Sequence, residues 1–157
     1  MHREIDYFTD QHHMVRESTK RLRPGYRHYA GVIVDMFYDH LLALNFQEYS
    51  DTCLEAFSSN AYTILEKEMN ILPSRAQHML PYMIRGNWLL NYQHVGGIHR
   101  SLQGISRRTK FNVQLELAVQ DLQKNFVLYE DEFKEFFPQI IEHISHFRED
   151  LINSKND

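Results

Sequence analysis

Ala30-Gly31-Val32-Ile33-Val34-Asp35-Met36-Phe37-Tyr38-Asp39-His40-Leu41-Leu42-Ala43-Leu44 is an almost unbroken apolar run with two aspartates and a histidine in its middle. As a helix it would be buried on nearly every side. A buried carboxylate is costly unless it is paired, hydrogen-bonded or bound to a metal. Asp35 and Asp39 are four residues apart, which sets them on one helical face, where their like charges repel. A divalent cation would remove that repulsion. The segment therefore predicts a core helix carrying part of a polar site. A structural reading of the same residues stands beside it: either aspartate caps a neighbouring helix or meets an arginine, and His40 is an ordinary core histidine.

Outward from this run, strand signals are nearly absent and helix punctuation is frequent. A polar, His-rich segment runs from His2 towards Leu22, with Thr9 as a candidate N-cap inside it. Pro24-Gly25 predicts a break before a core helix from about Tyr26 to Leu44, which Asn45 ends. Ser50 reads as the N-cap of a helix from Asp51 to about Met69. Pro73-Ser74 opens the next element, with a possible kink at Pro81. Asn87 to Tyr92 is helical, Gly96-Gly97 predicts a turn, and a short helix covers Ile98 to Arg107. An amphipathic helix is expected over Val113–Tyr129, and a last one from Asp131 to Leu151, interrupted near Pro138. The expectation is an all-α, single-domain compact helical bundle over residues 1–152, with 153–157 as a frayed tail.

Composition narrows the function. The chain has 157 residues, enough for a real core. Its net charge is −4 with dispersed lysines and arginines, which gives no nucleic-acid signature. The single cysteine, Cys53, excludes an intrachain disulfide and suits a reducing compartment. No stretch is apolar enough to span a bilayer, and the N-terminus has no apolar signal core, so a cytoplasmic protein without membrane attachment is expected.

Three polar groups compete for a role. His2 and Asp6 are four apart, and Asp10 and His13 continue their face. Imidazole and carboxylate at that spacing can reach one metal ion, while for Asp10, His12 and His13 an exposed polar face is the favoured reading. His28 lies seven residues before Asp35 on the same face, placing it at the entrance of a site or merely at the surface. Arg107-Arg108, with Arg100 and Lys110 nearby, gather cations at a helix C-terminus, where they serve either the helix dipole or a phosphate. Arg3 could reach a phosphate beside His2. Glu-x-x-His and His-Glu-x-x-His are both missing, which excludes the ferritin-like di-iron and zincin patterns. His143 and His146 read as surface residues, and Trp88, Tyr92 and Phe133, Phe136 and Phe137 as core. Carboxylate and imidazole donors together favour a hard or borderline ion such as Mn²⁺ or Fe²⁺.

Several blocks, in order, resemble the acyl-carrier-protein phosphodiesterase family. They are His2-Arg3-Glu4-Ile5-Asp6 with Phe8-Thr9-Asp10, Asp35-Met36-Phe37-Tyr38-Asp39-His40, Ile71-Leu72-Pro73, Asn87-Trp88-Leu89 with Tyr92, Gly104-Ile105-Ser106-Arg107-Arg108, and Phe136-Phe137-Pro138. The resemblance implies an all-helical fold of the HD-like metal-dependent phosphohydrolase kind. It also implies removal of 4′-phosphopantetheine from holo acyl carrier protein, an acidic partner. Carried over, His2, Asp6 and Asp39 would hold a divalent metal, most simply Mn²⁺, with Fe²⁺, Mg²⁺ and Zn²⁺ as alternatives. Asp35 and His40 would be catalytic, and Arg3, His28, Arg107 and Arg108 would bind substrate. The family is expected to carry further residues before the His2 block, including histidines and a Gly-Asn…Ala-Asp-Phe-like segment. The literal His-Asp dipeptide of HD enzymes occurs here only reversed, as Asp39-His40. Two alternatives remain: an HD-like phosphohydrolase acting on a nucleotide or other phosphoester, and a non-catalytic helical binding domain.

Overall fold

The first helix, α1, spans His2–Gln11 and ends not at Thr9 but two residues later. There His12 takes extended backbone angles and its Nδ1 accepts the Met14 N–H at 3.3 Å, capping α2 (His13–Tyr26). Histidine thus does the work that sequence reasoning gave to threonine. The computed structural model in which these elements are seen describes residues 2–109 and 113–153, and of His2 the backbone alone. The tail beyond Asn153, and Lys110, lie outside the described residues.

The described residues are all-α, as expected, with no strand among them. Pro24 and Gly25 do not break the chain; both lie inside the last turn of α2. Pro24 forfeits one helical bond, towards the carbonyl of the exposed Lys20, which water can satisfy. The break falls at Arg27, whose φ of 48° is left-handed, and a 3-10 turn (Arg27–Tyr29) leads into α3 (Ala30–Leu44). Asn45 then ends α3, its side-chain amide donating to the Leu41 carbonyl at 2.9 Å.

A four-residue helix, α4 (Phe46–Tyr49), precedes α5 (Leu54–Lys67). Cys53, not Ser50, occupies the N-cap of α5; the Ser50 hydroxyl closes a local turn by accepting the Thr52 N–H. α6 (Ser74–Arg85) runs through Pro81, and α7 is Trp88–Asn91. Gly96 and Gly97 sit in the first turn of α8 (Val95–Ser106) rather than in a separate turn. A Cβ on Gly97 would overlap the Asn91 carbonyl, so only glycine lets these two backbones meet. The expected Val113–Tyr129 helix is in fact a 3-10 turn (Leu115–Leu117), α9 (Ala118–Lys124) and the start of α10 (Phe126–Asn153). α10 continues for 28 residues through Pro138 without interruption.

The chain groups into two compact units, residues 1–35 with 120–157, and residues 36–119. In the first, α10 packs along α1 and α2, and Leu22, Tyr129 and Phe133 are fully enclosed. Ser18 and Arg21 of α2 both bond to Glu132 of α10, and the Arg21 guanidinium lies 4.8 Å from the Tyr129 ring centroid. In the second unit, Phe37, Leu41, Ile98, Leu102 and Leu115 form the interior. Ser106 closes the end of α8 there, donating to Glu116 at 2.7 Å and accepting the Leu115 N–H at 2.9 Å.

Candidate functional site

Within the first unit, α2 and α3 wall a groove of about 1090 Å³. Arg16, Lys20 and Arg23 of α2 line it, with Arg27 just beyond the helix end. Their spacing of four, three and four residues is that of one helical face, so the sequence builds a continuous stripe of cations. Asp10, His28, Gly31 and Asp35 complete the groove. Arg16 is fixed at its base: its Nε donates to the Asp10 carbonyl at 3.3 Å and an Nη to Gln11 at 2.5 Å. This stripe was not among the residues singled out from sequence. Its signal was present in the numbering, but a break at Pro24-Gly25 would have severed it.

Asp35 is the carboxylate of this groove whose pKa departs most clearly from its ordinary value. It is not buried as the apolar run suggested; its side of α3 opens to solvent. Enough protein still surrounds the carboxyl to desolvate it, and the carboxylates of Asp10 and Asp6 add repulsion. Together these push its pKa from 3.8 up to about 6. The repelling charges thus come from α1, 25 and 29 residues back in the sequence, where the apolar run alone pointed to Asp39.

His40 belongs to the second unit and is 2 % exposed. Its Nδ1 is 2.6 Å from the Tyr92 carbonyl, a contact it makes as the N–H donor, which leaves Nε2 as the basic nitrogen. Burial lowers its pKa, and the charge of His94 acts in the same direction. Asp39 lies near the Tyr92 phenol, whose pKa is pushed up to about 12, first by burial and then by that carboxylate. Arg3 is exposed on α1, and Arg107 and Arg108 are exposed at the C-terminus of α8.

The His-rich segment is more structured than an exposed polar face. His12 is 7 % exposed, edge-on to Phe136 and 3.2 Å from Gln139. His143, expected at the surface, stacks on Phe8 and meets Glu4 at 2.8 Å. Both histidines tie α1 and α2 to α10.

A second concavity, of about 660 Å³, lies wholly in the other unit. Met36, Met79, Met83, Trp88, Tyr92 and Ile105 give it mostly apolar walls, and Arg100, Arg107 and Arg108 stand on it. Trp88 and Tyr92, assigned to the core from sequence, are half-buried wall residues instead.

The fit to a metal follows from the donors. Asp6, Asp10 and Asp35 offer hard oxygens, and Asp35 responds to the charges of the other two. Among the described residues, however, no three His, Cys, Asp or Glu side chains are grouped closely enough to hold an ion. The side chain of His2 lies outside the described residues. The described side chains therefore do not fit a complete metal centre, and the chemistry below takes no step through one. No helix among them is long and apolar enough to cross a membrane.

A helical chain with a cation-lined groove around a proton-holding carboxylate has the equipment of a phosphoester hydrolase, and the comparisons agree with that class. The family model described as acyl carrier protein phosphodiesterase matches residues 1–140. A protein of Photorhabdus laumondii bearing that name is 29 % identical over 90 % of this chain and 72 % of its own length. Those of Klebsiella pneumoniae and Escherichia coli, with the same name, are each 30 % identical, over 90 % and 92 % of this chain and 74 % and 76 % of theirs. No solved structure matches. The chain belongs to the acyl carrier protein phosphodiesterase family.

Proposed function

We propose that this chain is a phosphodiesterase that removes the 4′-phosphopantetheine arm from holo acyl carrier protein, and that the groove of the first unit is where it does so. The observation that carries this reading is the stripe Arg16–Lys20–Arg23–Arg27 on the same groove as Asp35. A phosphodiester brings one negative charge and two non-bridging oxygens. Guanidinium groups bind such oxygens with paired N–H donors, and they gain strength as charge builds on phosphorus. Asp35, titrating near 6, is largely ionised at neutral pH yet far more basic than an ordinary aspartate, which suits a general base.

The reaction balances on these groups. A water oxygen bonds to phosphorus as Asp35 takes its proton. The bond from phosphorus to the carrier's serine oxygen breaks, and that oxygen takes a proton from solvent, to which Asp35 gives up the proton it accepted. The products are apo carrier and phosphopantetheine. Of the two residues expected to be catalytic, Asp35 opens to this groove, while His40 holds the Tyr92 backbone in the other unit. His28 sits at the groove wall, where it can contact the substrate.

Dependence on a divalent cation, Mn²⁺ first and Fe²⁺, Mg²⁺ or Zn²⁺ after it, is a separate part of the proposal. It is supported by the repulsion that the Asp10 and Asp6 carboxylates exert on Asp35, which a cation would relieve. A cytoplasmic location is proposed with it, supported by the single cysteine, which suits a reducing compartment.

The test is intact mass of holo acyl carrier protein incubated with the chain, with and without Mn²⁺. Loss of the phosphopantetheine mass, slowed by about 10²-fold or more in Asp35→Asn, is expected. An unchanged carrier under both conditions, alongside turnover of a nucleotide phosphodiester, would transfer the groove to another phosphoester.

A further inference from the structure

The apolar concavity of the second unit takes no part in the reaction just described, and its construction asks for a ligand. Its volume of about 660 Å³ lies within the range of small-molecule sites, about 300–1,000 Å³. The polar side chains in its wall are already engaged with the protein. Asn91 donates to the Gly86 carbonyl at 2.7 Å, and Ser101 bonds to the Tyr92 phenol. That leaves the guanidinium groups as the polar partners a ligand would find. Arg107 donates to Gln103, a neutral partner, at 3.2 Å, and its charge acts on the carboxylate of Glu116 without a direct bond between them among those described.

The α8 face explains how the space arises. Arg100, Gly104 and Arg107–Arg108 recur at helical spacing, so this face carries cations at both ends and a glycine between them. A glycine inside a helix costs stability relative to alanine. A Cβ built on Gly104 meets nothing within 4 Å, so no neighbouring atom demands the glycine. What it leaves is open room on the pocket wall. Opposite stand methionines, whose unbranched thioethers adapt to flexible apolar shapes.

We propose that this pocket binds a linear alkyl chain ending in an anionic head, the chemistry of a soluble fatty carboxylate, with the chain against Met79, Met83 and Trp88 and the carboxylate on the α8 arginines. The assignment rests on the apolar wall, the engaged polar groups and the charge of the rim. It does not rest on the phosphodiesterase reading.

Trp88 is the only tryptophan of the chain and stands in the wall, so its fluorescence reports occupancy directly. The full chain is titrated with dodecanoate below its micellar range, and calorimetry runs in parallel. Saturable binding is expected. Decanoate, two methylenes shorter, should bind about 10-fold more weakly. Dodecanol, lacking the charge, should lose about 10-fold or more. Gly104→Leu should weaken dodecanoate by at least about 10-fold while melting no lower than the parent. Arg100→Gln/Arg107→Gln, both at exposed positions, should erase the difference between dodecanoate and dodecanol. Asp35→Asn should bind dodecanoate as the parent does, whatever it does to hydrolysis. Absence of saturable binding, dodecanol binding as tightly as dodecanoate, or undiminished affinity in folded Gly104→Leu would each overturn the proposal.

Discussion

The two concavities of this chain are built from the same materials, helix faces and arginines, and yet hold opposite chemistry. The groove of the first unit mixes charges of both signs: four cations face Asp10, Glu17 and Asp35. The pocket of the second unit has thioether and aromatic walls, with cations only at its polar end. Each also keeps a glycine near a helix end, Gly31 in the first turn of α3 and Gly104 in the last turn of α8, where a Cβ would meet nothing within 4 Å. The difference teaches that arginine alone does not define a phosphate site. What surrounds the arginines differs: a carboxylate of raised pKa in the groove, and an apolar wall in the pocket.

The sharpest way to separate the two is at Asp35 and Gly31. Asp35→Asn should lower kcat on holo carrier by about 10²-fold or more, the usual contribution of a general base. Gly31→Leu, which fills the groove, should abolish turnover while leaving Trp88-detected binding in the other pocket intact. Equal loss of both functions in either variant would break the comparison.

Next in size is the wall that carries the cationic stripe. α2 is held to α10 by Arg21, whose Nη2 reaches Glu132 at 2.5 Å with side chains 26 % and 12 % exposed. That ion pair raises the Arg21 pKa further above its ordinary value, its bond to Glu132 outweighing the opposing effect of burial. Glu132→Gln leaves a part-buried guanidinium without its charge partner and should cost about 2 kcal/mol in chemical denaturation. Below that, Arg23→Ala should raise KM for the carrier about 10-fold with a smaller effect on kcat, and should reduce the salt sensitivity of KM.

The smallest expected effect is a pair of opposite pH slopes. Asp35 has a folded pKa raised to about 6 from 3.8, so the native state holds that proton more tightly than the unfolded chain. Its stabilising effect is complete below pH 3.8 and is lost as pH rises through about 6. His40 has a folded pKa lowered from 6.5, so its effect is present above 6.5 and is lost as pH falls below it. Asp35→Asn should therefore raise Tm by about 1–3 °C at pH 7.5, and not at pH 4, the value being kept small because the group is solvent-exposed. His40→Asn, which retains a donor for the Tyr92 carbonyl, should flatten the acid limb of the Tm profile. Calorimetry across pH checks both.

Much of the fold is legible from helical periodicity, and so is Asp35 as a residue of interest. α3 ends where Asn45 says it should. Misread positions share one cause: punctuation residues act only in context. Pro24 falls in the last turn of α2, Pro138 inside α10, and Gly97 in α8, because their costs are met by solvent, helix length or a close backbone contact. Treating Pro24-Gly25 as a stop also hid the stripe from Arg16 to Arg27. The pairing of His143 with Glu4 joins residues 139 apart, a distance no local pattern spans. The repulsion of Asp35 by Asp6 and Asp10 likewise depends on how α1 lies in the first unit.

Arg27 illustrates a conflict between endurance and use. Its φ of 48° is one that a side chain resists and glycine accepts. A selection for heat resistance alone would find Arg27→Gly early, and the survivors would melt later. They would also lack one of the four cations of the groove on which the proposed phosphate binding rests.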